Sequence, residues 1–176
     1  TVLFDSKLNL ELLTSGAHAH LFSEQERALL ARHVPKTERL TAANIDAAVR
    51  GREHLVLKPV GECGGIGVLV GETCGPEHWA AALRDALPQA APFIVQETVR
   101  DLWTYSIAGS GATAPFTACL GPLFLGGEYG GTLLRQMPFA GRTPIINHAQ
   151  GAGVGTVLVG EPSSPPILLW DFQPSS

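Results

Sequence analysis

Glycine and proline punctuate this chain so often that its second half has no room for a long helix. Of 176 residues, 20 are glycine and 13 proline. Glycine gives the backbone conformations other residues avoid, and proline removes a donor and fixes a dihedral, so together they mark turns. From Tyr105 onward they interrupt every apolar run, leaving short strands expected at 105–108, 116–125, 132–137, 144–147, 156–160 and 167–171. The first half carries helix signals instead. Asp5 to Leu13 reads as a short helix stopped at Gly16, and Ser23-Glu24-Gln25-Glu26 as a capping box that opens a second helix with Leu29 and Leu30 inward. That helix must end near His33, because Val34 precedes Pro35. A third helix is expected from about Asn44 to Arg50 and a fourth from Pro76, with Trp79, Leu83, Ala86 and Leu87 facing in. Strands are expected at 55–60, 66–71 and 93–99. Helices first, then a β-loop-β-α-β unit, then strands without helices between them make an α+β fold whose later part is a mainly antiparallel sheet.

Composition closes off several classes. With 45% apolar and 16% charged residues the chain can build a core and is not a disordered polyelectrolyte. A net charge of −4 without a basic run argues against a phosphate-neutralising grip on nucleic acid. No apolar stretch approaches the roughly 20 residues of a membrane helix, and the segment from Thr1 to Asp5 has no basic start of a signal peptide. Cys63, Cys74 and Cys119 are odd in number and far apart, which fits a reduced, cytoplasmic protein better than a disulfide framework. The six histidines show no zinc-ligand spacing, so no metal residue is assigned.

The segment that carries chemistry runs from Leu57-Lys58-Pro59 through Gly61-Glu62-Cys63-Gly64-Gly65-Ile66-Gly67 into Val68. Glycines allow positive φ and let amide N–H groups come close to an anion, while a lysine at the end of the first strand can add one charge to the same phosphates. The lysine precedes the glycines and a strand follows them, which separates this loop from the Walker type. A plain Gly-rich hairpin with a surface lysine fits the same residues. Cys63 inside the loop is either a small residue that fits or an oxidisable position.

The order of further motifs resembles the ATP-grasp ligases, and among them the circularly permuted, glutathionylspermidine-synthetase-like carboxylate–amine ligases. The resemblance rests on Asp5-Ser6-Lys7, His33-Val34-Pro35-Lys36-Thr37, Leu57-Lys58-Pro59, Gly64-Gly65-Ile66-Gly67-Val68, Val95-Gln96-Glu97-Thr98-Val99, Gly130-Gly131-Thr132-Leu133-Leu134-Arg135 and Asn147-His148-Ala149-Gln150-Gly151. It covers roughly residues 5 to 160.

The resemblance implies an ATP-grasp-like fold and ATP with Mg²⁺ as cofactors. In it Lys58 and Lys7 would hold phosphates, and the loop with Gly61, Gly64, Gly65 and Gly67 would fold over them. Gln96, Glu97 and Val99 would form the hinge that meets adenine and ribose, and Arg135 would act catalytically opposite the γ-phosphate. The implied reaction transfers the γ-phosphoryl group to a small-molecule or peptide carboxylate, and an amine then displaces the acyl phosphate. In that branch the Mg²⁺ ligands precede the Asp-x-Lys helix, so none is identified in this chain, which is expected to be the C-terminal part of a longer protein. The His-x-Asp-x-Arg-Pro element of the branch is replaced here by Pro115-Phe116-Thr117-Ala118-Cys119. One domain is expected over 1–176, with subdomains at roughly 1–99 and 100–160 and a Pro/Ser-rich tail at 161–176 bearing a last strand. The alternative is a non-catalytic nucleotide- or peptide-binding module built on the same fold.

Overall fold

The computed structural model describes residues 6–100, 103–106, 112–139, 141, 145–148 and 151–157. The fold is α+β with two four-stranded antiparallel sheets. The chain divides into two compact units, Thr1–Val99 and Arg100–Ser176.

In the first unit α1 (Leu8–Thr14), α2 (Glu24–His33), α3 (Ile45–Arg50) and α4 (Pro76–Ala86) accompany β1 (Thr37–Arg39), β2 (Leu55–Pro59), β3 (Leu69–Val70) and β4 (Phe93–Glu97). The strand order is β1-β4-β2-β3. Alternation decides what each face buries. Leu57 on β2 and Val95 on β4 are direct partners and point to the core formed with Trp79, Leu83 and Ala86 of α4, Ala48 of α3 and Leu40. Val56, Lys58, Ile94, Gln96 and Thr37 share the other face, with α1 lying against β1. Pro76 opens α4 as the helix's first residue, where its missing N–H costs nothing.

Several expectations shift. The strand expected at 66–71 is only Leu69–Val70, because residues 64–67 form turns and Gly71 begins a 3₁₀ turn over Gly71–Thr73. A Cβ on Gly71 would lie 2.0 Å from the Arg52 carbonyl oxygen, so the chain passes there backbone against backbone. Helix α1 ends at Thr14 with Ser15 extended, and Gly16 starts a separate 3₁₀ segment, Gly16–Leu21, that the helix reading did not include. Strand β1 was also not expected. The capping box is present: Ser23 Oγ accepts from Glu26 N at 3.3 Å, and the Glu26 carboxylate accepts from Ser23 N at 2.8 Å. Leu29, expected inward, is 59% exposed, and Leu30 alone of the pair is half-buried.

The second unit is an antiparallel sheet in the order β5 (Trp103–Ser106), β6 (Thr113–Leu125), β7 (Glu128–Pro138), β8 (Gly153–Thr156). Its long hairpin β6–β7 turns at Gly126 and Gly127, both at positive φ. Ile145 to Asn147, expected as a strand, belong to no regular element; Asn147 N bonds the Ile145 carbonyl two residues back, a turn rather than a ladder contact. A strand runs over Gly153–Thr156, where Arg135 pairs Val154; of the strand expected at 156–160, residues 158–160 lie outside the described residues. The strand expected at 167–171 and the tail from 161 fall outside the described residues. Among the described residues no helix is long and apolar enough to cross a membrane.

Candidate functional site around Lys58

Strand β2 exists because Leu55, Val56 and Leu57 fit a half-buried pleat, and it delivers Lys58 to the face opposite the α3–α4 core. Val60 ends the pairing, its N–H bonding the Pro92 carbonyl at 2.9 Å. The glycine segment follows as two successive turns, Ile66 N to Cys63 O at 3.2 Å and Val68 N to Gly65 O at 3.3 Å. Gly64, Gly65 and Gly67 hold φ of 69°, 81° and 67°, the left-handed region that a side chain resists. Gly61 does not need that freedom, and both it and Cys63 are exposed.

Two lysines converge at the loop's start. Lys7, just before α1, donates from Nζ to the Val60 carbonyl at 3.3 Å and to the Glu62 carbonyl. Lys58 Nζ donates to Gln96 Oε1 at 2.6 Å. Burial holds the Lys58 ammonium below its ordinary pKa, and the like charge of Lys7 pushes the same way. Neither lysine pairs with a carboxylate among the described residues. The arrangement is two cations beside a loop that holds three glycines at positive φ.

The residues of the expected hinge separate. Gln96 is buried, 5% exposed, and its amide is engaged on both sides, by Lys58 and by Thr37 Oγ1 at 2.7 Å. Glu97 and Val99 are exposed at the end of β4 and beyond it. Glu97 pairs with the segment before β1: its N–H bonds the Lys36 carbonyl at 2.9 Å, and its carboxylate accepts from Lys36 N at 3.3 Å. It also borders a cavity of about 420 Å³ whose walls include Leu13, Thr14, Phe22, Leu30 and Val34. Lys36 at the rim is held by Glu38 at 2.9 Å, which raises its pKa through the hydrogen bond and the opposite charge.

Arg135 belongs to the second unit, on β7 opposite Cys119. Its Nη2 points to Cys119 Sγ at 3.7 Å, and its Nε is buried with no hydrogen-bond partner among the described residues. Pro115 to Cys119 lie within β6, paired to β7, so this stretch serves as strand. The residue that sequence reasoning passed over is Thr37. It appeared only as the end of a Val-Pro-x-Thr turn, and its 0% exposure and its bond to Gln96 depend on β1, a three-residue strand with almost no periodic signal. No protein-family model matches the chain, and no curated protein matches it.

Proposed function

We propose that this chain binds the phosphates of ATP between Lys58, Lys7 and the Gly61–Gly67 loop, as the nucleotide-holding portion of an ATP-dependent carboxylate–amine ligase with an ATP-grasp-like fold. The observation that carries the reading is a pair of lysines, neither paired with a carboxylate among the described residues, at a loop whose three left-handed glycines let amides face an anion. Putting a half-buried ammonium next to a second one is unfavourable without a polyanion, and a triphosphate removes that penalty. ATP supplies the γ-phosphoryl group that activates the carboxylate for attack by an amine.

This chain's own residues contribute positioning and charge. Lys58 and Lys7 orient the phosphates, and the loop excludes water when it closes over them. Among the described residues no three or more His, Cys, Asp or Glu side chains gather to hold a metal.

Lys58→Glu tests the reading. ATP should raise the melting temperature of the wild-type chain and leave that of a folded Lys58→Glu variant unchanged. At free ATP of about 100 times Kd, mass action adds about 2.7 kcal/mol. Equal shifts in both proteins would place the nucleotide elsewhere.

A further inference from the structure

The side-chain hydrogen bonds that end on Lys58 have a single consistent direction. The Thr37 hydroxyl has one hydrogen, which it donates to the Pro35 carbonyl at 2.9 Å. Its oxygen can therefore only accept from the Gln96 amide 2.7 Å away, so the amide nitrogen faces Thr37. An amide with its nitrogen toward Thr37 turns its oxygen toward Lys58, at 2.6 Å. The flipped amide would set an NH₂ group against an ammonium, and a carbonyl oxygen against a hydroxyl whose hydrogen is already committed. Both Thr37 and Gln96 are buried, at 0% and 5% exposure, so water does not offer the amide an alternative. Thr37 is itself anchored, its N–H donating to Thr14 Oγ1 at 3.0 Å in the last turn of α1.

We infer that Thr37 and Gln96 are positioning residues for Lys58: Thr37 fixes the orientation of the Gln96 amide, and that amide holds the Lys58 ammonium at the start of the glycine loop. The inference deepens the phosphate-binding reading and rests on it. An amide is the suitable group here. It gives a cation an acceptor without cancelling its charge, whereas a carboxylate at the same place would neutralise the ammonium intended for the phosphates. It also explains how a half-buried lysine, disfavoured by burial and by Lys7, keeps a defined place. The side chain of Gln96 thus acts on the nucleotide through Lys58, while Glu97 and Val99 carry the exposed end of the strand.

The test uses the full chain labelled with [¹³Cε]lysine, with the Lys58 signal assigned through Lys58→Arg. Two quantities are measured: the Lys58 titration midpoint by NMR, and the affinity for ATP and for inorganic triphosphate by calorimetry. Thr37→Val removes the oxygen that orients the amide. It should lower the Lys58 midpoint, because the freed amide can turn its NH₂ to the ammonium, and weaken triphosphate binding about tenfold, which is about 1.4 kcal/mol. Thr37→Ser keeps the hydroxyl and should restore both. Gln96→Glu should raise the midpoint while still weakening triphosphate binding, a divergence that loss of packing does not produce. If folded Thr37→Val and Gln96→Glu leave the midpoint unmoved, the inference is overturned; should Thr37→Val not fold, Gln96→Glu and Thr37→Ser decide it. A wild type that binds neither ATP nor triphosphate overturns the phosphate reading instead, and the titrations still decide whether Thr37 and Gln96 hold Lys58.

Discussion

Trp79 shows how much of the first unit rests on single side chains. It is fully buried, and its indole N–H donates to the Ala48 carbonyl at 3.0 Å, so one residue fills the core and joins α4 to α3. That carbonyl lies in the short helix Ile45–Arg50, and Ala48 is itself 3% exposed, so water does not replace the indole. Trp79→Phe keeps an aromatic ring but leaves a buried carbonyl short of a partner, a penalty of about 1–3 kcal/mol, with the lost ring volume adding to it. The expected outcome is a lower denaturation midpoint in urea with an unchanged slope. A variant as stable as the wild type would mean that the core closes over the gap and the bond contributes nothing. The same scale separates the two lysines from ordinary surface charges. Lys36, half turned to solvent and paired with Glu38, has its pKa raised, whereas Lys58 has it lowered by burial and by Lys7. For Lys58 the folded pKa lies below the unfolded one. Its charge therefore opposes folding at neutral pH, and the penalty fades as pH rises from the folded value toward the ordinary lysine value of 10.5.

At the scale of elements, α2 carries a pH-dependent start. The Glu26 carboxylate accepts from Ser23 N at 2.8 Å and Ser23 Oγ at 2.7 Å, and these bonds lower its pKa from 4.5. A depressed carboxylate stabilises above the unfolded pKa and loses that contribution as pH falls through the folded one. Amide protection at the start of α2, the slowing of exchange relative to an unstructured chain at the same pH, should therefore fall below about pH 4.5 in the wild type, and Glu26→Gln should show no such step. A wild-type helix start with constant protection across that window would remove the capping box from the account. This box was legible because its chemistry is local, four consecutive residues that satisfy each other. Helices α3 and α4 and strands β2 and β4 were legible for a related reason, since their apolar periods match the faces they bury. What sequence did not reveal depends on distant partners. β1 is a strand because β4 lies beside it, and Thr37 is buried because Gln96 needs an acceptor there. β3 is short because Gly71 meets the Arg52 carbonyl, nineteen residues earlier in the chain, and Arg52 Nη1 in turn bonds Gly71 O at 2.7 Å. Of the candidate site, Lys58 and the loop were readable from order and glycine content. The engagement of Gln96 by Lys58 was not, because it depends on which face each strand turns to the other.

Over the whole molecule the two units keep separate sets of strand partners. Every cross-strand pair of the first sheet lies between Thr37 and Glu97, and its core cluster runs from Leu40 to Val95. Lys7, Lys58 and the glycine loop lie in the same unit, while Arg135 lies in the other. This division predicts that residues 1–99 expressed alone fold with the amide pattern they show in the full chain, since among the described residues the strand pairs and core cluster of that unit all come from within it. It also predicts how nucleotide affinity divides. If Lys58 and Lys7 supply the main hold on the phosphates, the 1–99 fragment binds ATP measurably. If the first unit carries the whole grip, the full chain binds ATP as tightly as the fragment, within about tenfold or 1.4 kcal/mol, and calorimetry on the two proteins checks this. A fragment that is folded but blind to ATP, beside a full chain that binds it, would move the phosphate grip away from Lys58.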